Sequence, residues 1–188
     1  MKQHRRVRNL VVTCAIGISL FLLTGCAARS NFVAEGASAK MKQPVAVVAF
    51  DNLSGHPEAG VIVAELFQDE LYEVSGRRLK LVSPERVAAL SEKLDQHQHN
   101  PAKLGETLGA KAVVVGRVNE FAYKHVLGED PAVSISVRLV DVESGDVLWN
   151  AALSRTGRCS WLKQDSLTRL SHSMCEELAR WLADAVER

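Results

Sequence analysis

The sequence predicts an α/β fold: a mixed sheet with helices packed on it as a two-layer or three-layer sandwich, in the order β-α-β-α-α-β-β-β-α. Three observations carry this. Residues 44–50 (PVAVVAF) form an apolar, β-branched run, which reads as a strand buried on both faces. Ser83-Pro84 and Asn100-Pro101 each place a capping residue before a proline, the signature of a helix start. Residues 132–142 alternate, with Val133, Ile135, Val137 and Leu139 against Ser134, Ser136 and Arg138, and lead through Glu143-Ser144-Gly145-Asp146 into a partner strand.

The elements follow in order. After the strand at 44–50, Asp51-Asn52-Leu53-Ser54-Gly55 is turn chemistry. A helix is predicted over 57–74, with Val61, Leu66, Phe67 and Leu71 as its apolar stripe and Gly76 as its terminator. Leu79-Lys80-Leu81-Val82 is a short strand. The helix opened by Ser83-Pro84 runs to about residue 96, and the one opened by Asn100-Pro101 ends at Gly109. Residues 111–123 (KAVVVGRVNEFAY) are a strand, and 132–142 and 147–156 form the hairpin. A last helix is predicted over 162–186, with Leu167, Leu170, Met174, Leu178, Trp181 and Ala185 at helical spacing. Trp149 and Trp181 sit in regular elements and read as core. No internal repeat is present.

The N-terminus has a different character. Lys2, Arg5, Arg6 and Arg8 precede a 14-residue apolar run at 10–23 (LVVTCAIGISLFLL), short for a spanning helix and right for a signal segment. It closes on Leu23-Thr24-Gly25-Cys26, which looks like a lipobox: cleavage before Cys26 and acylation of its thiol, with chains such as palmitate, would anchor the protein stably. By the enteric sorting rule Ala27 directs it to the outer membrane, with the folded part in the periplasm. The expected organisation is a signal peptide at 1–25, a lipidated N-terminus and tether at 26–43, and one domain at 44–188. Residues 27–43 (AARSNFVAEGASAKMKQ) are small, polar and aperiodic, and as a coil would reach about 20–25 Å.

Removing the leader also changes the charge. It carries four of the 23 Lys and Arg residues, so 19 remain against 22 Asp and Glu, near −3. That gives no electrostatic case for nucleic acid. Cys14 lies in the leader and Cys26 is the acceptor. That leaves Cys159 and Cys175 with two readings: a disulfide in an oxidising compartment, or a buried Cys175 with a loop thiol at Cys159. A helical rise of roughly 20 Å between them, against Cα atoms within about 7 Å for a disulfide, favours the second.

Catalytic chemistry is not apparent. The glycines at 55, 60, 105 and 109 make neither a dinucleotide fingerprint nor a phosphate-binding loop, and no nucleophile elbow occurs. His97 and His99 lack further metal ligands nearby, His56 reads as turn decoration, and Cys159 beside Arg158 lacks a base in sequence. Asp51, Glu65, Asp69 and Glu70 cluster around the first helix, where a solvated face explains three of the four. The expectation is a non-enzymatic protein with no cofactor or metal. One segment reads as a contact surface. Arg155, Arg158, Trp161 and Lys163 place an indole among cations at a strand-to-helix junction. Trp161 either faces a membrane or partner or folds back onto the core as a helix staple.

These residues carry a resemblance. Val45-Ala46-Val47-Val48-Ala49-Phe50-Asp51-Asn52-Leu53-Ser54-Gly55 is similar to the opening strand and turn of the CsgG-like and TolB-N-terminal-like lipoprotein superfamily. Gly109-Ala110-Lys111-Ala112-Val113-Val114-Val115-Gly116-Arg117-Val118 resembles its glycine-alanine strand. Val137 to Trp149, turning at Gly145-Asp146, resembles its last hairpin. The resemblance spans 44–188. The curli channel of that superfamily has long barrel-forming insertions, and the connections here at 125–130 and 143–146 are too short for one. Its activators of penicillin-binding proteins carry long tethers, unlike this chain. The Pel-type exopolysaccharide export lipoproteins are compact and short-tethered, with a similar Arg- and Trp-bearing junction. That resemblance implies a homo-oligomeric ring at the outer membrane serving export of a biofilm exopolysaccharide, with an outer-membrane barrel protein and the polysaccharide as partners. The alternative is an activator of a periplasmic cell-wall synthase or another accessory secretion component.

Overall fold

The computed structural model describes residues 28–35, 37–41, 43–76, 79–91, 100–125, 129–157, 159–160 and 163–187. The elements are β1 (Ala28–Val33), α1 (Ala37–Met41), β2 (Pro44–Val47), β3 (Asp51–Asn52), α2 (Ala59–Ser75), β4 (Lys80–Leu81), α3 (Pro84–Ser91) and α4 (Pro101–Leu108). They continue as β5 (Ala112–His125), β6 (Glu129–Asp141), β7 (Val147–Thr156), β8 (Cys159–Ser160), β9 (Lys163–Gln164) and α5 (Leu167–Glu187). The predicted order is present, with β1 and α1 added before it, β3 after β2, and the β8–β9 pair before the last helix.

Seven strands form one mixed sheet in the order β1-β7-β6-β5-β2-β4, with β3 also on β5. The β2, β3 and β4 pairings are parallel, as their helical connections require. β5, β6, β7 and β1 are antiparallel neighbours.

Layering differs along the sheet because burial alternates with the pleat. Val45 and Val47 of β2 join a large core with Phe67 and Leu71 of α2, Met174 and Leu178 of α5, and Trp149 of β7. Ala46 and Val48 face the other way, into a second cluster with Val87, Leu108, Val113 and Val142. The parallel end is therefore three layers thick, with α2 and α5 on one side and α3 and α4 on the other. Among the described residues, the antiparallel end has helices on one face only.

The stretch 28–41 is not the flexible tether expected of it. Ala28–Val33 pairs along β7 from Ala28↔Ser154 to Val33↔Trp149, and α1 follows it. The sequence signal is faint because an edge strand docks through its backbone, and only Val33 of β1 packs against the core. Three other expectations are corrected. Val61 is 48% exposed, and the buried stripe of α2 is Ala59, Val63, Phe67 and Leu71. Trp181 is half-buried at the core margin, while Trp149 is fully buried. The last helix begins at Leu167, not 162, where the Ser166 hydroxyl accepts from the Arg169 N–H at 3.2 Å and the Ser166 carbonyl from the Leu170 N–H at 2.9 Å.

Other terminators behave as read. The Asn100 side chain accepts the Ala102 N–H at 3.0 Å ahead of Pro101. Gly76, at φ 56, donates its N–H to the Tyr72 carbonyl.

Phe50 locks α2 to the sheet. Its N–H donates to the Gly60 carbonyl at 3.3 Å. A Cβ on Gly60 would lie 2.1 Å from the Phe50 carbonyl oxygen, and one on Gly116 would lie 2.4 Å from the Phe50 ring. The contact at Gly60 is with backbone, which cannot swing aside. Gly60→Ala is therefore expected to destabilise the fold by about 1–3 kcal/mol, the usual range for overpacking. Urea unfolding followed by circular dichroism checks this, and an unchanged midpoint would show that the contact yields.

Candidate functional site

The predicted contact segment falls at the end of β7 and in the β8–β9 pair, which is antiparallel with Cys159↔Gln164 and Ser160↔Lys163. Arg158 and Trp161 lie outside the described residues, and Lys163 is described in its backbone only. Arg155 is placed clearly. Its Nη2 donates to Glu177 Oε2 of α5 at 2.7 Å, and its Nη1 to the Ser173 hydroxyl at 3.4 Å. Glu177 also meets Arg29 of β1, at 3.6 Å. Arg155 thus clasps β7 and, through Glu177, β1 to the last helix. Sequence reasoning grouped it with Arg158 because it could not know which face of β7 the helix would cover.

The turn before α2 is built by Asn52. Its Oδ1 accepts the Ser54 N–H at 3.0 Å and the Ser54 hydroxyl at 2.7 Å, and its Nδ2 donates to the His56 carbonyl at 2.8 Å. His56 Nδ1 lies 2.7 Å from the Pro57 carbonyl, and its ring meets Phe121 edge-on at 5.0 Å. This is turn architecture, as its sequence suggested. His97 and His99 lie outside the described residues, as does Cys26.

The four carboxylates around α2 separate. Asp51 pairs with Arg117 at 3.6 Å, and both are half exposed. Glu65 and Asp69 are exposed. Glu70 is buried, with one oxygen 3.0 Å from Nε2 of His172 on α5. Its helical phase, beside Val63 and Phe67, was the available signal for that burial. Desolvation raises the Glu70 pKa above 4.5, and the charge of His172 offsets part of the rise. Cys175, also buried and free, lies 3.7 Å from the Val63 carbonyl. Burial, reinforced by Glu70, pushes its thiol up to about 12, so it stays protonated and unreactive.

One face of the antiparallel strands is covered by no helix among the described residues. Register places Ser30, Ala152, Ser136 and Arg117 in one row across β1, β7, β6 and β5, with Asp51 of β3 beyond. The next row is Phe32, Asn150, Arg138 and Val115. These side chains are exposed or half-exposed. Ser30, Ala152 and Ser136 give the first row small side chains, and Phe32, Arg117 and Arg138 are the large exposed ones beside them.

The family model described as GNA1162-like lipoprotein matches residues 85–183, more than half of the chain. The chain belongs to the GNA1162-like lipoprotein family. Two solved structures share its fold. The PelC dodecamer from Paraburkholderia phytofirmans is 22% identical, with a TM-score of 0.63 over 84% of this chain and 97% of that one. Lipoprotein GNA1162 from Neisseria meningitidis is 22% identical, with a TM-score of 0.54 over 72% and 97%. No curated protein sequence matches the chain. The GNA1162-like family carries the lipoprotein part of the resemblance read from the sequence, while the CsgG-like and TolB-like naming stays a resemblance. GNA1162 is described as a lipoprotein, and PelC as a dodecamer.

The buried carboxyl gives this GNA1162-like chain a pH signature. A group whose folded pKa is raised contributes stability that is complete below its unfolded pKa and lost as pH rises through the folded value. Glu70→Gln removes that loss. The variant is expected to match the wild type near pH 4 and to gain on it progressively above about pH 5. Urea midpoints across that range check this, and a pH-independent difference would contradict the burial.

Proposed function

We propose that this chain is a lipid-anchored outer-membrane protein whose periplasmic domain assembles into a homo-oligomeric ring serving exopolysaccharide export. The observation that carries the proposal is the match to PelC. It covers almost all of a protein crystallised as a dodecamer and all but a small part of this chain. Membership of a lipoprotein family supports acylation at Cys26.

The position of β1 adds a physical reason to favour a membrane-apposed assembly. Only Ala27 separates Cys26 from Ala28, the first residue of the sheet. An acylated Cys26 would hold the domain against the headgroups, with no coil to let it reach across the periplasm. Arg158, Trp161 and Lys163 then serve as the contact to membrane or neighbouring copy, since Arg155 is engaged with α5. An outer-membrane barrel protein and the exported polysaccharide are the partners this reading requires. The reading needs no catalytic step from the chain.

Native mass spectrometry of the full-length protein extracted in detergent tests the ring. A closed assembly of many copies is expected. A strictly monomeric protein would overturn the export reading and point instead to an activator docking on a synthase. Cys26→Ser is expected to abolish palmitate labelling and release the protein from the outer-membrane fraction. Trp161→Ala is expected to weaken assembly or membrane retention while leaving the unfolding temperature nearly unchanged; a large loss of stability would place Trp161 in the core instead.

A further inference from the structure

We propose that neighbouring copies join head to tail, with the outward face of α2 on one copy laid across the uncovered sheet face of the next. This rests on the ring reading above and names the two surfaces that build it. A ring cannot be built from one self-complementary patch. It needs two different patches that fit each other, and the angle between them sets how many copies close it. In a ring of about twelve, each copy turns by only about 30°, so the two patches must point in nearly opposite directions.

The molecule has such a pair. α2 packs on one side of the sheet through Ala59, Val63, Phe67 and Leu71. Its opposite side, directed away from the sheet, carries Val61, Glu65, Asp69 and Tyr72 at spacings of four, four and three, a single ridge along the helix. Val61 and Tyr72 are 48% and 38% exposed, which is high for large apolar residues on a helix. Glu65 and Asp69 lie between them, and α2 contains no Lys, Arg or His. Its outer ridge is thus acidic at its centre and apolar at its ends.

The uncovered sheet face has the complementary character. Ser30, Ala152 and Ser136 form a low floor, so a helix can approach closely. Arg117 and Arg138 rise from it, and Phe32, 54% exposed, stands at its β1 margin. Two carboxylates on the ridge face Arg138 and Arg117 on the floor, the latter also 3.6 Å from Asp51 at the edge of the row, and exposed apolar groups flank the contact. Charge complementarity of this kind fixes the register and excludes like-charged alternatives. Because β1 supplies the Phe32 margin, the strand next to the lipid anchor would also be an interface strand.

Head-to-tail contact makes a specific demand on mixtures. Ser136→Trp raises an obstacle at the centre of the sheet face but leaves the helix ridge intact. Glu65→Arg with Asp69→Arg reverses the ridge but leaves the sheet face intact. Each full-length variant, purified in detergent and shown to be folded by circular dichroism, is expected to fall from the wild-type assembly to the single-chain mass by native mass spectrometry. An equal mixture of the two is expected to give a dimer and nothing larger, since each pair has one sound junction and two blocked ends. A wild-type assembly retained by either variant, or a mixture that stays monomeric, would overturn the pairing. A wild-type protein that is itself monomeric would overturn the ring reading instead.

Discussion

The sandwich is held in register by the seat of Phe50. Its ring rests where Gly116 lacks a side chain, and its carbonyl approaches Gly60 where a Cβ would not fit. The ring also meets Phe67 of α2 at a centroid distance of 5.9 Å. A single residue, three past the end of β2, therefore ties the central strand β5 to the first long helix. α2 and α5 pack against each other over the same face, and the Glu70–His172 and Arg155–Glu177 pairs stitch α5 to α2 and to β7.

That placement has a consequence at the far end of the sheet. With both long helices on one side, the described parts of α3 and α4 cover the other side over β2, β4, the start of β5 and the end of β6 with Val142. The remaining face, across β1, β7, β6 and β5, is left to small and polar residues. A half-covered antiparallel sheet is an ordinary solution in water. Here its small side chains and its arginines are the features on which the proposed contact between copies rests.

In the proposed assembly, the edge strand would join the lipid anchor to the interface between copies. β1 gains little from its side chains and is held by its ladder with β7 and by the Arg29–Glu177 pair. Because β1 begins two residues after Cys26, force or orientation imposed at the membrane would pass directly into the sheet. A long flexible linker would have absorbed it.

Much of the fold was legible in the residues. The β-branched run at 44–50, the prolines at 84 and 101, and the Val133–Leu139 alternation each express a local rule. The helices start at those prolines and the hairpin strand spans its alternation, while the first strand begins at Pro44 and stops at Val47, short of 50. The mixed sheet followed from their order. β1 was not legible, because an edge strand satisfies its backbone against a partner far away in sequence and needs almost no apolar pattern of its own. The start of α5 was missed because Ser166 caps it locally while the preceding residues pair as β8 and β9. The lipobox-like Leu23-Thr24-Gly25-Cys26 and the excess of acids over bases from residue 26 onward are properties of the chain alone. Whether Glu70 would be buried, Arg155 engaged or the sheet left open on one side depended on which elements packed together, and only the tertiary structure decides that.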